Sequence, residues 1–304
     1  MLDKAIVLTT IFTIVDDTMK GSAVIQHALK RPGPAPHLSD SELIVIALYQ
    51  ELRGEPREDH FLRLHQASLL PFFPGPGLNE RSRYTRRKRD LWAVILAVRV
   101  SLQIVLEARQ LEETAAIESA PVPCVSYKRS KQTSRFLGTA DYGVCSSKAM
   151  KYFGCKIHSV VGLSGMILGF LLTPANCYDN QPVVELLDSF AHHLSHVLGD
   201  GAYNDAALQS YLQQERALKL LAPVKETQVP IRSKQAQTQL NRLRLMCETV
   251  KAQLQEQLHL SKHYAKSTWG LMTRIAAKVT AHSVGMMVNT LLARPALQLA
   301  ELAV

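Results

Sequence analysis

Residues 197–203 read Val-Leu-Gly-Asp-Gly-Ala-Tyr. A short apolar run ends in Gly-Asp, and a helical pattern resumes from Asn204. This predicts a buried strand that delivers one carboxylate, Asp200, to its C-terminal tip, where the chain turns. The flanking glycines permit a tight turn and leave room for a ligand to approach. Taken alone, the heptapeptide fits a metal-holding aspartate and a turn-capping aspartate equally well. The rest of the chain has to decide between them.

The 304 residues suffice for one large domain or two modest ones. A hydrophobic content of 47% is that of a globular core rather than a disordered chain. The net charge of +9 favours a polyanionic partner, with nucleic acid the usual one. Five cysteines, Cys124, Cys145, Cys155, Cys177 and Cys247, are odd in number and widely spaced, as reduced thiols would be. Cys145, Cys155, His158 and Cys177 match no usual zinc spacing. The apolar residues 5–15 follow Asp3, lack a clean cleavage site and are too short to span a bilayer. These features predict a cytoplasmic protein with no membrane partner.

Patterning changes near residue 108. Before it, the chain reads as all helix: 2–30, then a Pro-rich break at 31–36, then a helix through about Leu52 opened by the capping box Ser39 to Glu42. Helices at 57–70 and 91–106 follow. Between them, Arg81, Arg83, Arg86, Arg87, Lys88 and Arg89 place six cations in nine residues. Such a run can neutralise phosphates and add sequence-independent DNA affinity, or it can be a solvated helix face. Residues 1–107 are therefore read as a helical DNA-binding domain.

Residues 108–304 read as β–β–β–α–β–α–β–α, a mixed α/β sheet. The strands are expected at 114–117, 152–161, 165–173, up to Asp200, and at 218–224. Helices are expected at 181–193, about 204–215, 234–258 and 268–293. A basic loop with Lys128 and Arg129 follows the first strand. Gly162-Leu163-Ser164-Gly165-Met166 misses the serine-hydrolase elbow at its last position. His192, His193 and His196 have the spacing of partly exposed surface residues.

Three acids stand at telling places: Glu118 at the end of the first strand, Asp200 at the end of the fourth, and Glu248 in the late helix. First and fourth strands of such a sheet can lie side by side, so that their tips meet. A helix packed across them then supplies the third acid. Three carboxylates around one spot repel unless divalent cations sit between them, and hard oxygen donors select Mg²⁺ or Mn²⁺. Two such ions can activate water or a 3′-hydroxyl and stabilise the leaving oxygen. Arg244, one turn before Glu248, would hold it or contact a phosphate.

With these residues in place, the chain resembles the bacterial insertion-sequence DDE transposases, most closely insertion-sequence family 982. The resemblance spans nearly the whole chain. It rests on the order of Leu38-Ser39-Asp40-Ser41-Glu42-Leu43, Arg83–Arg89, Ile117–Cys124, Tyr142–Lys148, Tyr152–His158, Leu172–Asp179, Leu198–Tyr203 and Arg244–Val250. It implies an RNase H-like catalytic core preceded by a small helical domain, with catalytic and metal-binding roles for Asp200 and Glu248. It also implies double-stranded DNA as partner, both element ends and target, and a homo-oligomer on DNA. The first catalytic aspartate of the family falls at position 118, where this chain has Glu118. Asp141 is a spare carboxylate off the motif. The basic residue that often follows the catalytic glutamate is replaced by Gln255, with Lys251 the nearest substitute. Three readings follow: an active transposase, a degenerate copy that binds but does not cut, and another metal-dependent nuclease on the same core.

Overall fold

Ser39 opens its helix as the capping box predicts. Its Oγ accepts the Glu42 N–H at 3.2 Å, and Glu42 Oε2 accepts the Ser39 N–H at 2.6 Å. The helix is α3 (Asp40–Leu52). The computed structural model describes residues 2–74, 81–107, 112–132, 135–145, 149–188, 193–222 and 234–304. The chain divides into two compact units, Met1–Leu106 with Gln253–Val304, and Glu107–Ala252.

In the helical unit, every residue of α3 from Leu43 to Leu52 is buried. A helix apolar on all sides has to be surrounded. Here α1 (Lys4–Gly21), α5 (Arg81–Asp90) and α10 (Thr268–Leu291) surround it. The segment 2–30, expected as one helix, breaks at Gly21-Ser22. Ser22 Oγ then caps the short α2 (Ala23–Ala28) by accepting the Ile25 N–H. Helices α4 (Glu58–Leu69) and α6 (Trp92–Glu107) complete the N-terminal part. The last helix, α10, was expected with the C-terminal domain; it belongs instead to the helical unit. The reason is chemical. Glu51 lies buried in α3, and the neutralising cations are Arg274 and Lys278 of α10, at 2.9 and 2.6 Å.

The second unit is a mixed α/β fold on a six-stranded sheet. Its strands are β1 (Thr114–Val125), β2 (Asp141–Cys145), β3 (Met150–Gly162), β4 (Ile167–Pro174), β5 (His196–Leu198) and β6 (Lys219–Leu221). Strand β3 pairs antiparallel with β1 on one side and with β2 and then β4 on the other. Strands β1, β5 and β6 run parallel. Helices α7 (Val183–Asp188), α8 (Ala206–Arg216) and α9 (Lys234–Ala252) alternate with the later strands. Helix α9 packs across β1 and β3. Its apolar stripe Leu243, Cys247 and Val250 is buried at helical spacing.

Two expectations about strands are corrected. The first strand does not stop at Ile117 but runs on to Val125, through Pro121 and Pro123. Proline is tolerated only where a strand edge needs no donor. The β5 partner ends opposite Ala116, so β1 has an open edge from there on. The two prolines alternate, their missing donors face one edge, and pairing with β3 persists past both. Secondly, the loop after the first strand contains an extra strand, β2, paired to the start of β3. Gly154 lets β1 and β3 approach: a Cβ there would lie 2.2 Å from the Val122 carbonyl oxygen.

Candidate active site

The parallel register of β1 and β5 relates two of the three candidate acids. Ala116 pairs with Leu198. Two residues further along each chain lie Glu118 and Asp200, so the same step past the last paired positions brings both acids to one level of the sheet. Glu118 is thus not at a strand end but within β1, opposite Ser159 of β3. Asp200 lies beyond the tip of β5, as its Gly-Asp signature predicts.

Local structure holds Asp200 in place. Its Oδ1 accepts the Ala202 N–H at 2.8 Å and caps a single 3₁₀ turn, Gly201–Tyr203. The following helix α8 has its own cap, Asp205. Asp200 therefore caps the turn itself rather than the next helix. Gly199 is required by packing, because a Cβ there would lie 2.6 Å from the Tyr203 ring. Tyr203 is itself buried beneath the turn, and burial pushes its phenol pKa up. A Cβ on Gly201 would meet open space.

Glu248 and Lys251 come from α9. Their spacing of three puts them on one edge of the helix, beside the buried stripe. The ammonium of Lys251 stands 3.5 Å from Glu118 Oε2. Arg244, one turn earlier, contacts Glu248 through Nε at 3.3 Å. Both partners of that pair are exposed, so it orients Glu248 weakly.

Electrostatics set Glu118 apart. Its side chain is only 15% exposed, whereas Asp200 and Glu248 face solvent. Burial pushes the Glu118 carboxyl up to about 7; Lys251 opposes this, and the negative charges of Asp200 and Glu248 add to it. The three acids are therefore close enough to feel one another. One ammonium does not neutralise them.

Carboxylate oxygens are hard donors of the kind a divalent cation takes, but two of the three acids already have a cation beside them, Arg244 at Glu248 and Lys251 at Glu118. Among the described residues no group of three or more His, Cys, Asp or Glu side chains is gathered closely enough to hold a metal ion.

Other candidates fall away. Asp141 accepts a hydrogen bond from Asn176 at 2.8 Å. It pairs with Gly154, five residues along β3 from the partner of Glu118, which is about 16 Å at 3.3 Å per residue. It does not replace Glu118. Cys145, Cys155, His158 and Cys177 do not form a cluster. Cys155 approaches Cys124 instead, at 4.0 Å, and His158 bonds Thr173 at 2.9 Å. Burial pushes His158 down to about 4, so it is a neutral core residue. His192 lies outside the described residues; His193 is exposed and His196 bonds Ser195.

The basic run divides. Arg81, Arg83 and Arg86 are exposed on α5 and Arg89 is half-buried. Arg87 is bound to Asp40 at 2.7 Å. Lys88 is only 3% exposed and ion-paired with Glu58. The expectation that Lys88 meets DNA is therefore corrected: its charge is spent inside the helical unit. Lys128 and Arg129 are exposed on a 3₁₀ turn, Tyr127–Gln132. Sequence reasoning named Lys251 only as a stand-in for a missing basic residue. Its contact with Glu118 and the seat of Tyr203 on Gly199 were not anticipated. The signal available for Lys251 was its spacing of three from Glu248.

No helix among the described residues is long and apolar enough to cross a membrane. A family described as "Transposase DDE domain" matches residues 108–268, more than half of the chain. No curated protein and no solved structure matches.

Proposed function

The chain belongs to the transposase DDE-domain family, and from that premise we propose that it cuts and joins DNA at the ends of an insertion sequence of family 982 type. The observation that carries this reading is the β1–β5 register. It sets Glu118 level with Asp200, and α9 adds Glu248 close enough to raise the Glu118 pKa. The sheet, with an antiparallel start joined to parallel strands, supports an RNase H-like core.

In this reading Glu118, Asp200 and Glu248 hold two Mg²⁺ or Mn²⁺ ions. Such ions would activate the attacking water or 3′-hydroxyl and stabilise the leaving oxygen of a phosphodiester. The chain's own residues do the rest. Asp200 is held by its turn, so its carboxylate is positioned before substrate arrives. Arg244, exposed beside Glu248, is placed to take a phosphate. Glu118 has to lose its proton and exchange Lys251 for a metal before it can serve as a ligand. Arg81, Arg83, Arg86 and Arg89, with Lys128 and Arg129, supply contacts to double-stranded DNA. The helical N-terminal region of residues 1–107 is the proposed DNA-binding part. Pairing of two ends implies a homo-oligomer on DNA, acting in the cytoplasm.

A second reading is a copy that binds the ends but does not cut. It is favoured by glutamate at position 118 and by Lys251 at 3.5 Å. One experiment separates the two: Mg²⁺- or Mn²⁺-dependent cleavage of a duplex carrying the element's ends, with the natural protein beside Glu118→Asp and Asp200→Ala. Cleavage by the natural protein that Asp200→Ala abolishes establishes the three-acid site. Cleavage by Glu118→Asp alone establishes the degenerate copy. Binding without cleavage by either leaves only a DNA-binding role.

A further inference from the structure

The helical unit contains a cleft of ≈ 650 Å³, walled by the start of α4, by α5 and by residues 263–274 leading into α10. That volume suits a ligand of nucleotide size. Six cations line it: Arg57, Arg81, Lys88, Arg89, Lys266 and Arg274. Two acids, Glu58 and Asp59, face them. Both acids are already engaged, Glu58 with Lys88 and Asp59 with Arg57 at 3.0 Å. Among the described residues Arg81, Arg89 and Lys266 form no ion pair. The cleft is therefore a pocket of uncompensated positive charge.

Three further features point to an anion with a planar group attached. The N-terminus of the 24-residue α10, capped by Ser267 accepting the Gly270 N–H at 3.2 Å, opens on the cleft. Such an end attracts phosphate. Arg274 is only 7% exposed and lines the wall; one side of its guanidinium binds Glu51 and the Pro56 carbonyl. Its Nε has no hydrogen-bond partner among the described residues. That nitrogen is closed to solvent, so Arg274 offers the cleft its charge rather than this donor. Tyr264, in the left-handed region at φ 52, is 60% exposed at the rim. A bulky residue held there is uncommon and is a feature of ligand clamps.

We propose that this cleft is a phosphate-binding site that seats one nucleotide of a DNA strand, its phosphate against Arg81, Lys266 and the α10 N-terminus and its base against the Tyr264 ring. That the phosphate belongs to DNA rests on the function proposed above; that the cleft binds phosphate does not. The site is separate from the three acids, and it gives Arg81 and Arg89 a shaped target rather than a diffuse one. A stacked base on an aromatic ring is a sequence-tolerant contact.

Trp269 reports on the cleft directly, because its Nε1–H donates to the Arg89 carbonyl at 3.0 Å. The test is a fluorescence titration of the full chain with a single-stranded DNA oligomer, with inorganic phosphate and with a deoxynucleoside monophosphate. The proteins are the natural chain, Arg81→Ala/Lys266→Ala and Tyr264→Leu. The expected result is DNA binding weakened about tenfold in the double variant, with the slope of log K against log salt shallower by about 0.7 for the one lost phosphate contact. Inorganic phosphate should compete. Tyr264→Leu should weaken DNA binding but not phosphate binding. Equal affinity and slope in the natural chain and the double variant, with circular dichroism unchanged, would overturn the site. Saturation by the mononucleotide at concentrations below those needed for DNA would overturn the strand assignment. If no protein cleaves DNA yet the double variant still loses binding, the cleft stands and the transposition reading falls. If cleavage persists with binding unaltered, the reverse holds.

Discussion

Glu118 changes its acid–base chemistry on folding. Its carboxyl is pushed from an ordinary 4.5 up to about 7, first by burial and then by the neighbouring acids. The folded chain therefore holds a proton between those pH values that the unfolded chain has released. This contribution to stability is fully present below about pH 4.5 and is lost as pH rises through 7. Its size is on the order of 3 kcal/mol at 1.36 kcal/mol per pK unit. In chelator, the denaturant midpoint of the natural protein should fall from pH 5 to pH 8 relative to that of Glu118→Gln, which cannot titrate. Parallel curves for the two proteins would contradict the burial of an uncompensated carboxyl. Gly199 makes a second residue-scale prediction. Gly199→Val places a branched side chain where a single Cβ already meets the Tyr203 ring at 2.6 Å. Overpacking of this kind costs about 1–3 kcal/mol. It would shift Asp200 and reduce cleavage far more than Gly201→Ala, which meets open space.

Helix α3 is the element on which the helical unit depends, and its start is a two-way hydrogen-bonded box. Ser39→Ala should cost about 1 kcal/mol, read as a lower midpoint in urea, while Ser39→Asp should retain most of the stability. An unchanged midpoint in Ser39→Ala would show that packing alone fixes the helix start. The strand pair β1–β3 makes the opposite demand, closeness rather than capping. Gly154→Ala drives a Cβ into the Val122 carbonyl, and the backbone on one side has to move. Since β1 carries Glu118, this change should weaken cleavage as well as stability.

At the scale of the whole molecule, the two ends of the chain build one unit. Tyr49 bonds the Val304 carbonyl, Arg53 bonds the Ala303 carbonyl at 3.1 Å, and Glu51 of α3 meets Arg274 and Lys278 of α10. Glu51→Ala would leave two buried cations without their carboxylate, a loss of about 3–5 kcal/mol. The double change Glu51→Leu/Lys278→Met should recover part of it, because paired removal leaves fewer charges stranded. Residues 1–107 expressed alone should fail to give a cooperative unfolding transition, since α3 would lose the helix that covers it. A sharp transition from that fragment would show that α10 is dispensable.

The sequence by itself determined the local events. The capping box placed α3 because its two hydrogen bonds close within four residues. The Val-Leu-Gly-Asp run placed β5 and its carboxylate because an apolar strand followed by a turn is written in consecutive positions. The helix expected at 234–258 is α9 as far as Ala252, with Glu248 inside it. Non-local facts were decided only in the tertiary structure. That β1 continues through two prolines depends on β5 ending opposite Ala116, some eighty residues away in the chain. That Lys88 is buried depends on Glu58, and that α10 joins the helical unit depends on the charge of Glu51. Lys251 contacts Glu118 only because α9 crosses β1. Hydrogen bonds and periodicity act over a few residues and can be read in order; desolvation and ion pairing act across space, and their partners exist only once the chain has folded.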